Sequence, residues 1–319
     1  MGTKGIEQMK KKIFIDGKAG TTGLRIYERL EDRQDIEIIL LSEEERKDPA
    51  ARKKALNSCD IAFLCLPDDA ARESVSMIEN DNVVVIDTST AHRTLDGWCY
   101  GFPELSSALD ERLKTAKRIA VPGCHASGFI ALVKPLIDEG YISPETLLTC
   151  HSITGYSGGG KKMISEYEAD ERNVLLDAPR QYGITQTHKH LKEMQSITGL
   201  TNAPIFCPIV SDFYSGMAVT VPIFASQLND GISVDDIRSL YEKKYNGDIV
   251  KYESAFDDSG FISAAKLKDS DAMRITVAGN SERVLLIAVY NNLGKGASGA
   301  AVECMNVVLG QDKKCALDI

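Results

Sequence analysis

The sequence predicts an α/β protein, with a doubly wound parallel sheet in its N-terminal half and a second, α+β unit after it. Three observations carry this reading. Apolar runs of strand length alternate with helical patterns through the first 120 residues or so. A glycine-rich turn follows the first of those runs directly. Beyond Cys124 the alternation stops, and apolar runs at 147–154, 217–224 and 284–289 take its place.

In order, Lys12-Ile13-Phe14-Ile15-Asp16 reads as a buried strand, and a helical run extends from Leu24 to Leu30. Between them lies Gly17-Lys18-Ala19-Gly20-Thr21-Thr22-Gly23. Small residues in such a turn let a pyrophosphate approach the N-terminus of the following helix. Gly17, Ala19, Gly20, Thr21, Thr22 and Gly23 are therefore candidate cofactor residues, although the spacing is G-x-x-G-x-x-G instead of the commoner G-x-G-x-x-G. A strand at 36–41, a helix at 49–57, a strand at 60–66, a helix at 68–78 and a strand at 83–86 follow. Strands this uniformly apolar belong to a parallel sheet covered on both faces, a Rossmann-like arrangement. Ligands of such sheets sit beyond the carboxyl ends of the strands. That edge holds Leu66 and Pro67 after the third strand, and Ser89 and Arg93 after the fourth. After the second strand, Ser42 stands where an NAD site carries an acidic residue, with Arg46 and Lys47 close by. Serine with nearby cations suits the 2′-phosphate of NADP.

Arg118 to Val121 forms a strand that stops at Pro122-Gly123, with Tyr100 to Leu105 leading into it. An apolar helical pattern then begins, with Phe129, Leu132, Val133, Leu136 and Ile137 on one face. Cys124 thus falls at the start of a helix, where free N–H groups and the helix dipole lower a thiol pKa. A nucleophilic cysteine is the functional reading; a small buried residue at a strand–helix junction is the structural one.

In the second half, Gly155 to Lys161 is a donor-rich loop, and Ser157 and Gly158 are placed to hold an oxyanion or phosphate, as Arg93 is. Thr187 to Met194 contains His188, His190 and Glu193. Two histidines two residues apart diverge by about 200° on a helix, and no cysteine or carboxylate cluster completes a metal site. General acid–base work suits them better. His188, read as preceding the helix, is preferred over His190. Glu193 is a candidate substrate clamp. Asn292, Gly294 and Gly296 end the last strand and open a small-residue helix. That helix is expected to return to the first unit and complete the cofactor site. The domains are drawn as 1–123 with 297–319 for the nucleotide, and 124–296 for catalysis and substrate.

A net charge of −9 without a sustained basic stretch argues against a nucleic-acid partner. No apolar run approaches the roughly 20 residues that span a bilayer. Met1 to Ile6 does not fit a myristoylation pattern, and the apolar run after Lys10-Lys11-Lys12 ends at Asp16, so no leader is expected. Eight scattered cysteines without a CxxC pair point to reduced thiols in a cytoplasm. A sheet-bearing second domain suits a homo-oligomer, a dimer or tetramer.

Taken together, 17–23, 64–72, 87–93, 100–105, 122–128, 155–161, 188–194 and 292–301 resemble, in order, the motifs of the N-acetyl-γ-glutamyl-phosphate reductases in their shorter form. Lys192 departs from that pattern, which has proline there. The resemblance implies NADPH-dependent reduction of an acyl phosphate through a thioester on Cys124, with His188 or His190 as acid/base. An aspartate-semialdehyde dehydrogenase-like enzyme would show a different cysteine neighbourhood and speaks less well for the two histidines. A non-catalytic NADP-binding protein would have no need of a reactive thiol. A thiol hydrolase would have no need of the nucleotide turn.

Overall fold

The structure is a computed structural model that describes residues 10–319. The reading of Met1 to Ile6 therefore lies outside the described residues. Two sheets organise the chain. The first is built by β1 (Lys11–Asp16), β2 (Ile36–Ile39), β3 (Ile61–Leu64), β4 (Val84–Asp87), β5 (Cys99–Tyr100) and β6 (Arg118–Ala120). Its helices are α1 (Thr21–Leu30), α2 (Pro49–Ser58), α3 (Asp68–Ser76) and α4 (Ser107–Thr115). The strands are all parallel in the order β2-β1-β3-β4-β6-β5. The chain leaves β1 in one direction to β2 and returns on the other side as β3. This reversal opens a crevice past the carboxyl ends of β1 and β3, which is where such sheets bind ligands.

The second sheet belongs to the segment from α5 (Cys124–Asp138) onward. It contains β7 (Thr149–Gly155), β8 (Arg180–Gln181), β9 (Ile205–Ser211), β10 (Met217–Phe224), β11 (Val250–Tyr252), β12 (Met273–Gly279) and β13 (Arg283–Tyr290). The order is β11-β12-β13-β10-β7-β9-β8, with mixed directions. Helices α6 (Gly160–Tyr167), α7 (Lys189–Thr198), α8 (Val234–Lys244) and α9 (Gly299–Val308) complete the chain. The expected α/β class, with its parallel first sheet and separate second sheet, is what forms.

Helix α5 is the centre of the larger core. Eleven of its residues are buried, and Phe129, Leu132 and Leu136 pack with Val219, Leu286 and Ile237. Each such side chain contributes about 1.5–3 kcal/mol when fully buried. Tyr245, just after α8, donates 2.7 Å to the Ala131 carbonyl, and Tyr241 on α8 to that of Leu132. The helix that carries Cys124 is therefore rigid along its length. Helix α9 packs against the first sheet, where Ala300, Ala301, Cys304 and Met305 share a core with Ile15, Ile86 and Ile119.

Several boundaries differ from the sequence reading. Helix α1 begins at Thr21, not Leu24, so Thr21, Thr22 and Gly23 form its first turn. Strand β2 ends at Ile39, and Leu40 lies outside the ladder, 56% exposed. Helix α4 intervenes between Tyr100–Leu105 and β6, where a direct lead-in was expected; Ser106 caps it by accepting from Leu109 N–H at 3.1 Å. Apolar patterning located three strands of the second sheet; β9 and β12 carry Pro208 and Arg274 within them and escaped it.

Candidate active site

The site lies where the carboxyl ends of the first sheet meet α5, α7 and the turn after β13. Gly17 holds φ +87°, and a Cβ there would strike the Cys65 carbonyl. Only glycine keeps that turn against β3. Gly20 caps α1 without any side-chain hydrogen bond, which leaves the first N–H groups of the helix free for an anion. Gly23 packs within 2.5 Å, measured to a built Cβ, of the Gly17 carbonyl. The cradle fits a pyrophosphate.

Two cavities flank this turn. The outer one, of about 570 Å³, touches Gly17, Ala19, Ile39, Leu66, Arg46 and Arg52. The inner one, of about 320 Å³, runs from Gly20, Thr21 and Thr22 past Leu66 and Arg93 to Cys124. Ser157, Gly158, Asn292 and Gly296 complete the inner walls. A third cavity of about 480 Å³ also opens onto Cys124 and holds His188, His190, Tyr182 and Gly158. Cys124 and His190 line both of the last two.

Of the other expected residues, Ser89 and Gly294 lie behind these walls, whereas Pro67 and Ser42 are exposed at the surface. Ser89 donates 2.7 Å to Asp87, and Gly294 packs on the Asp271 side chain. Gly23, Pro67 and Ser42 line none of the three cavities. Ser42 is engaged with Glu45, accepting its N–H at 3.2 Å, and Arg46 pairs with Glu43 at 2.6 Å. Among the described residues no cluster of histidine, cysteine and carboxylate is arranged to hold a metal. Arg52 was not singled out from the sequence; it is buried against Asp16 at 3.1 Å and Ser74 at 2.7 Å at the floor of the outer cavity. Its only signal was an arginine on an otherwise unremarkable helix.

Arg93 is 8% exposed, and each of its three nitrogens makes one hydrogen bond, which leaves two of its five N–H donors free. Its Nε donates 2.8 Å to the Val121 carbonyl, Nη2 2.9 Å to the Thr88 carbonyl and Nη1 2.9 Å to Glu193. Glu193 in turn accepts from Tyr100 Oη and Gly123 N–H, both at 2.8 Å. Its carboxylate is saturated by these donors and lines none of the three cavities. It sets Arg93 and the peptide before Cys124 in place.

Cys124 is the first residue of α5, but burial outweighs the helix end and pushes its thiol up to about 11; Arg93 and backbone N–H groups oppose this. The lowered thiol expected from helix position alone is not found in the free site, because an apolar surround penalises thiolate more than the helix end favours it. A thiol in this environment becomes a nucleophile only with a proton acceptor beside it.

His188 and His190 do not diverge. His188 is the N-cap of α7 with extended backbone, outside the helix, and the two rings meet at 4.7 Å between centroids. His188 Nδ1 accepts the His190 N–H at 3.2 Å. His190 Nδ1 is buried without a hydrogen-bond partner. Burial holds the His190 imidazole well below its ordinary pKa, with Arg93 adding to this, so it is neutral and basic at one nitrogen. His125 was not anticipated. It joins Ser152 Oγ and Tyr182 Oη, each at 2.6 Å, and burial lowers it to about 3, so it remains neutral.

The two halves of the chain match semialdehyde dehydrogenase family models. A family model described as the NAD binding domain of semialdehyde dehydrogenase matches residues 12–112, and one described as the dimerisation domain matches 124–292. An aspartate semialdehyde dehydrogenase II structure from Vibrio cholerae superposes with a TM-score of 0.73 at 16% identity, over 95% of this chain and 99% of that one. Sequence relatives are closer. N-acetyl-gamma-glutamyl-phosphate reductase 2 of Nostoc sp. is 42% identical over 97% of this chain and 99% of its own. The enzyme of Chelativorans sp. is 44% identical over 94% and 99%. The chain belongs to the N-acetyl-gamma-glutamyl-phosphate reductase family.

Proposed function

We propose that the chain catalyses NADPH-dependent reductive dephosphorylation of N-acetyl-γ-glutamyl phosphate to N-acetylglutamate semialdehyde and phosphate. The observation that carries this is Cys124 on the shared wall of two cavities, one leading to the glycine turn and the other to the histidines. The cofactor is held by Gly17 to Gly23 at its pyrophosphate and by the outer cavity at its adenosine end. Arg46 and Lys47 line that outer cavity and suit a 2′-phosphate. Bound NADPH supplies the hydride.

In this reading His190 takes the Cys124 proton as sulfur bonds the acyl carbon and the carbon–oxygen bond to phosphate breaks. Arg93 and the Ser157–Gly158 loop receive the departing phosphate. After reduction, the carbon–sulfur bond breaks as the carbonyl re-forms, and the protonated histidine returns its proton to the departing sulfur, which releases the aldehyde and restores the Cys124 thiol. His190 is favoured over His188 because it lines both of the cavities that Cys124 lines, whereas His188 lines one. His188 Nδ1 is occupied by the helix cap.

The boundaries 1–123 with 297–319, and 124–296, are supported by the two larger cores except at Tyr100, Phe102 and Leu105, which pack with the second. A homodimer through the outer face of the second sheet is supported by Ile205 and Phe224, 62% and 61% exposed, with Ile153 and Leu285 beside them. Among the described residues no helix is long and apolar enough to cross a membrane. Eight unpaired cysteines suit the reducing cytoplasm. The test is the reverse reaction with phosphate and NADP. N-acetylglutamate semialdehyde should be oxidised with far higher kcat/KM than aspartate semialdehyde; the opposite ranking would defeat the substrate assignment.

A further inference from the structure

The turn between β13 and α9 is built in a way that catalysis by Cys124 and the histidines does not explain. Gly294–Ser298 is π-helical, a rare conformation that concentrates at functional sites. Its Lys295 is 2% exposed. Nζ lies 2.8 Å from both carboxylate oxygens of Glu104 and also bonds Glu303. The ammonium stands 4.7 Å from the centroid of the Phe102 ring. Glu104 belongs to the turn after β5, and Glu303 to α9. One cation thus ties the π turn to two elements of the nucleotide-binding half. On the other side Asp271 packs against Gly294 and Gly299, and pairs with Arg29 of α1 at 2.6 Å.

The residue after Lys295 touches the nucleophile. A Cβ on Gly296 would lie 3.1 Å from Cys124 Cβ, and Asn292, Leu293 and Ala297 line the same inner cavity. A dinucleotide seated on the glycine turn has to end in this cavity to reach the thiol. Burying an ammonium with two carboxylates adds little stability, since desolvation offsets their attraction. Glu303 Oε1 has no partner, and burial pushes that carboxyl up to about 8. What the cluster adds over an apolar trio is a defined register for the turn.

We propose that Lys295, held by Glu104 and Glu303, is a positioning residue that sets the Gly294–Ser298 turn so that Gly296 and Ala297 confine the nicotinamide end of the cofactor against Cys124. This rests on the reading of the inner cavity as the nicotinamide site. It acts on one end of the cofactor only, and that separates it from a general loss of packing.

The experiment titrates NADPH and phosphoadenosine diphosphate ribose, which lacks the nicotinamide, into three forms of the full-length protein. These are the parent, Glu104→Gln and Lys295→Met/Glu104→Gln. The double variant keeps the parent's formal charge in the cluster while removing the tether. It should bind NADPH about tenfold more weakly, bind the fragment as the parent does, and lose about 10²-fold in kcat. Glu104 is the partly exposed member of the cluster, so Glu104→Gln keeps the fold if the double variant does not, and should shift NADPH in the same direction by a smaller factor. Equal weakening of NADPH and the fragment, or no change in either, in a variant with a parent-like melting curve overturns the tether. Absence of NADPH binding by the parent overturns the cofactor reading, and the tether with it.

Discussion

At the scale of single residues, the competition at Cys124 decides the most. A helix start favours thiolate by a fraction of a charge, whereas removal from water disfavours it more, and the thiol ends near 11. The sign follows: the folded state prefers the neutral thiol. Its contribution to stability is complete below the ordinary thiol pKa of about 8.5 and is lost as pH rises through about 11. Alkylation of Cys124 in the free protein should accelerate across that alkaline range, with a midpoint above that of an ordinary thiol; a midpoint near neutrality would contradict the burial argument. Cys124→Ser should abolish turnover with the fold intact, as read by steady-state assay beside circular dichroism, because a hydroxyl ionises far less readily.

The histidines give the companion test. His190→Asn should lower kcat by about 10²–10⁴-fold with little change in KM. His188→Asn should have a smaller effect, part of it through the α7 cap. The reverse ranking would return the acid/base role to His188. Sequence spacing could not separate them. The divergence argument holds only for two residues on one helix; His188 stands at the cap, ahead of the helix as its sequence position suggested, and there spacing no longer tells the two rings apart. Arg52 is hidden in the sequence, and Glu193 reads there as a substrate clamp and not as the partner of Arg93, for a related reason: charged residues on amphipathic helices are ordinarily solvated, and only tertiary packing turns these two inward.

At the scale of elements, local patterns were legible wherever one physical requirement dominated. The β1 turn needs glycine, so 17–23 announced itself. The α5 helix needs an apolar face, so its extent was readable from Phe129 to Ile137. Strands whose faces carry Pro208 or Arg274 left no such trace. The glycine turn also yields a sharp expectation. Gly17→Ala forces a Cβ onto the Cys65 carbonyl in a backbone region that alanine disfavours, at a cost of about 1–3 kcal/mol. NADPH affinity should fall together with melting temperature. A variant that melts like the parent and binds NADPH normally would mean that the turn relaxes freely.

At the scale of the whole molecule, the two sheets are joined by buried charge as much as by apolar contact. Arg93 and Glu193, from different halves, are 6% and 2% exposed at the side chain, and breaking such a pair costs about 3–5 kcal/mol. The outer face of the second sheet is different: it is apolar and uncovered at Ile205 and Phe224. Ile205→Asp with Phe224→Asp should convert a dimer to monomers in sedimentation velocity, with secondary structure unchanged. A variant that still sediments as the parent dimer would place the interface elsewhere.

The packing of α9 against the first sheet carries a consequence for how the protein is made. Ile15, Ile86 and Ile119 precede Ala300, Ala301 and Met305, which help to cover them, by a long stretch of chain and are synthesised well before them. During translation that face of the N-terminal sheet, which Ile26, Leu30 and Leu113 cover in part, therefore stays incomplete until α9 leaves the ribosome. Exposed surface of this kind invites aggregation and chaperone binding. The same delay keeps the Gly294–Ser298 turn away from Cys124, so a nascent chain holds its glycine cradle and its thiol for most of its synthesis without a completed site between them.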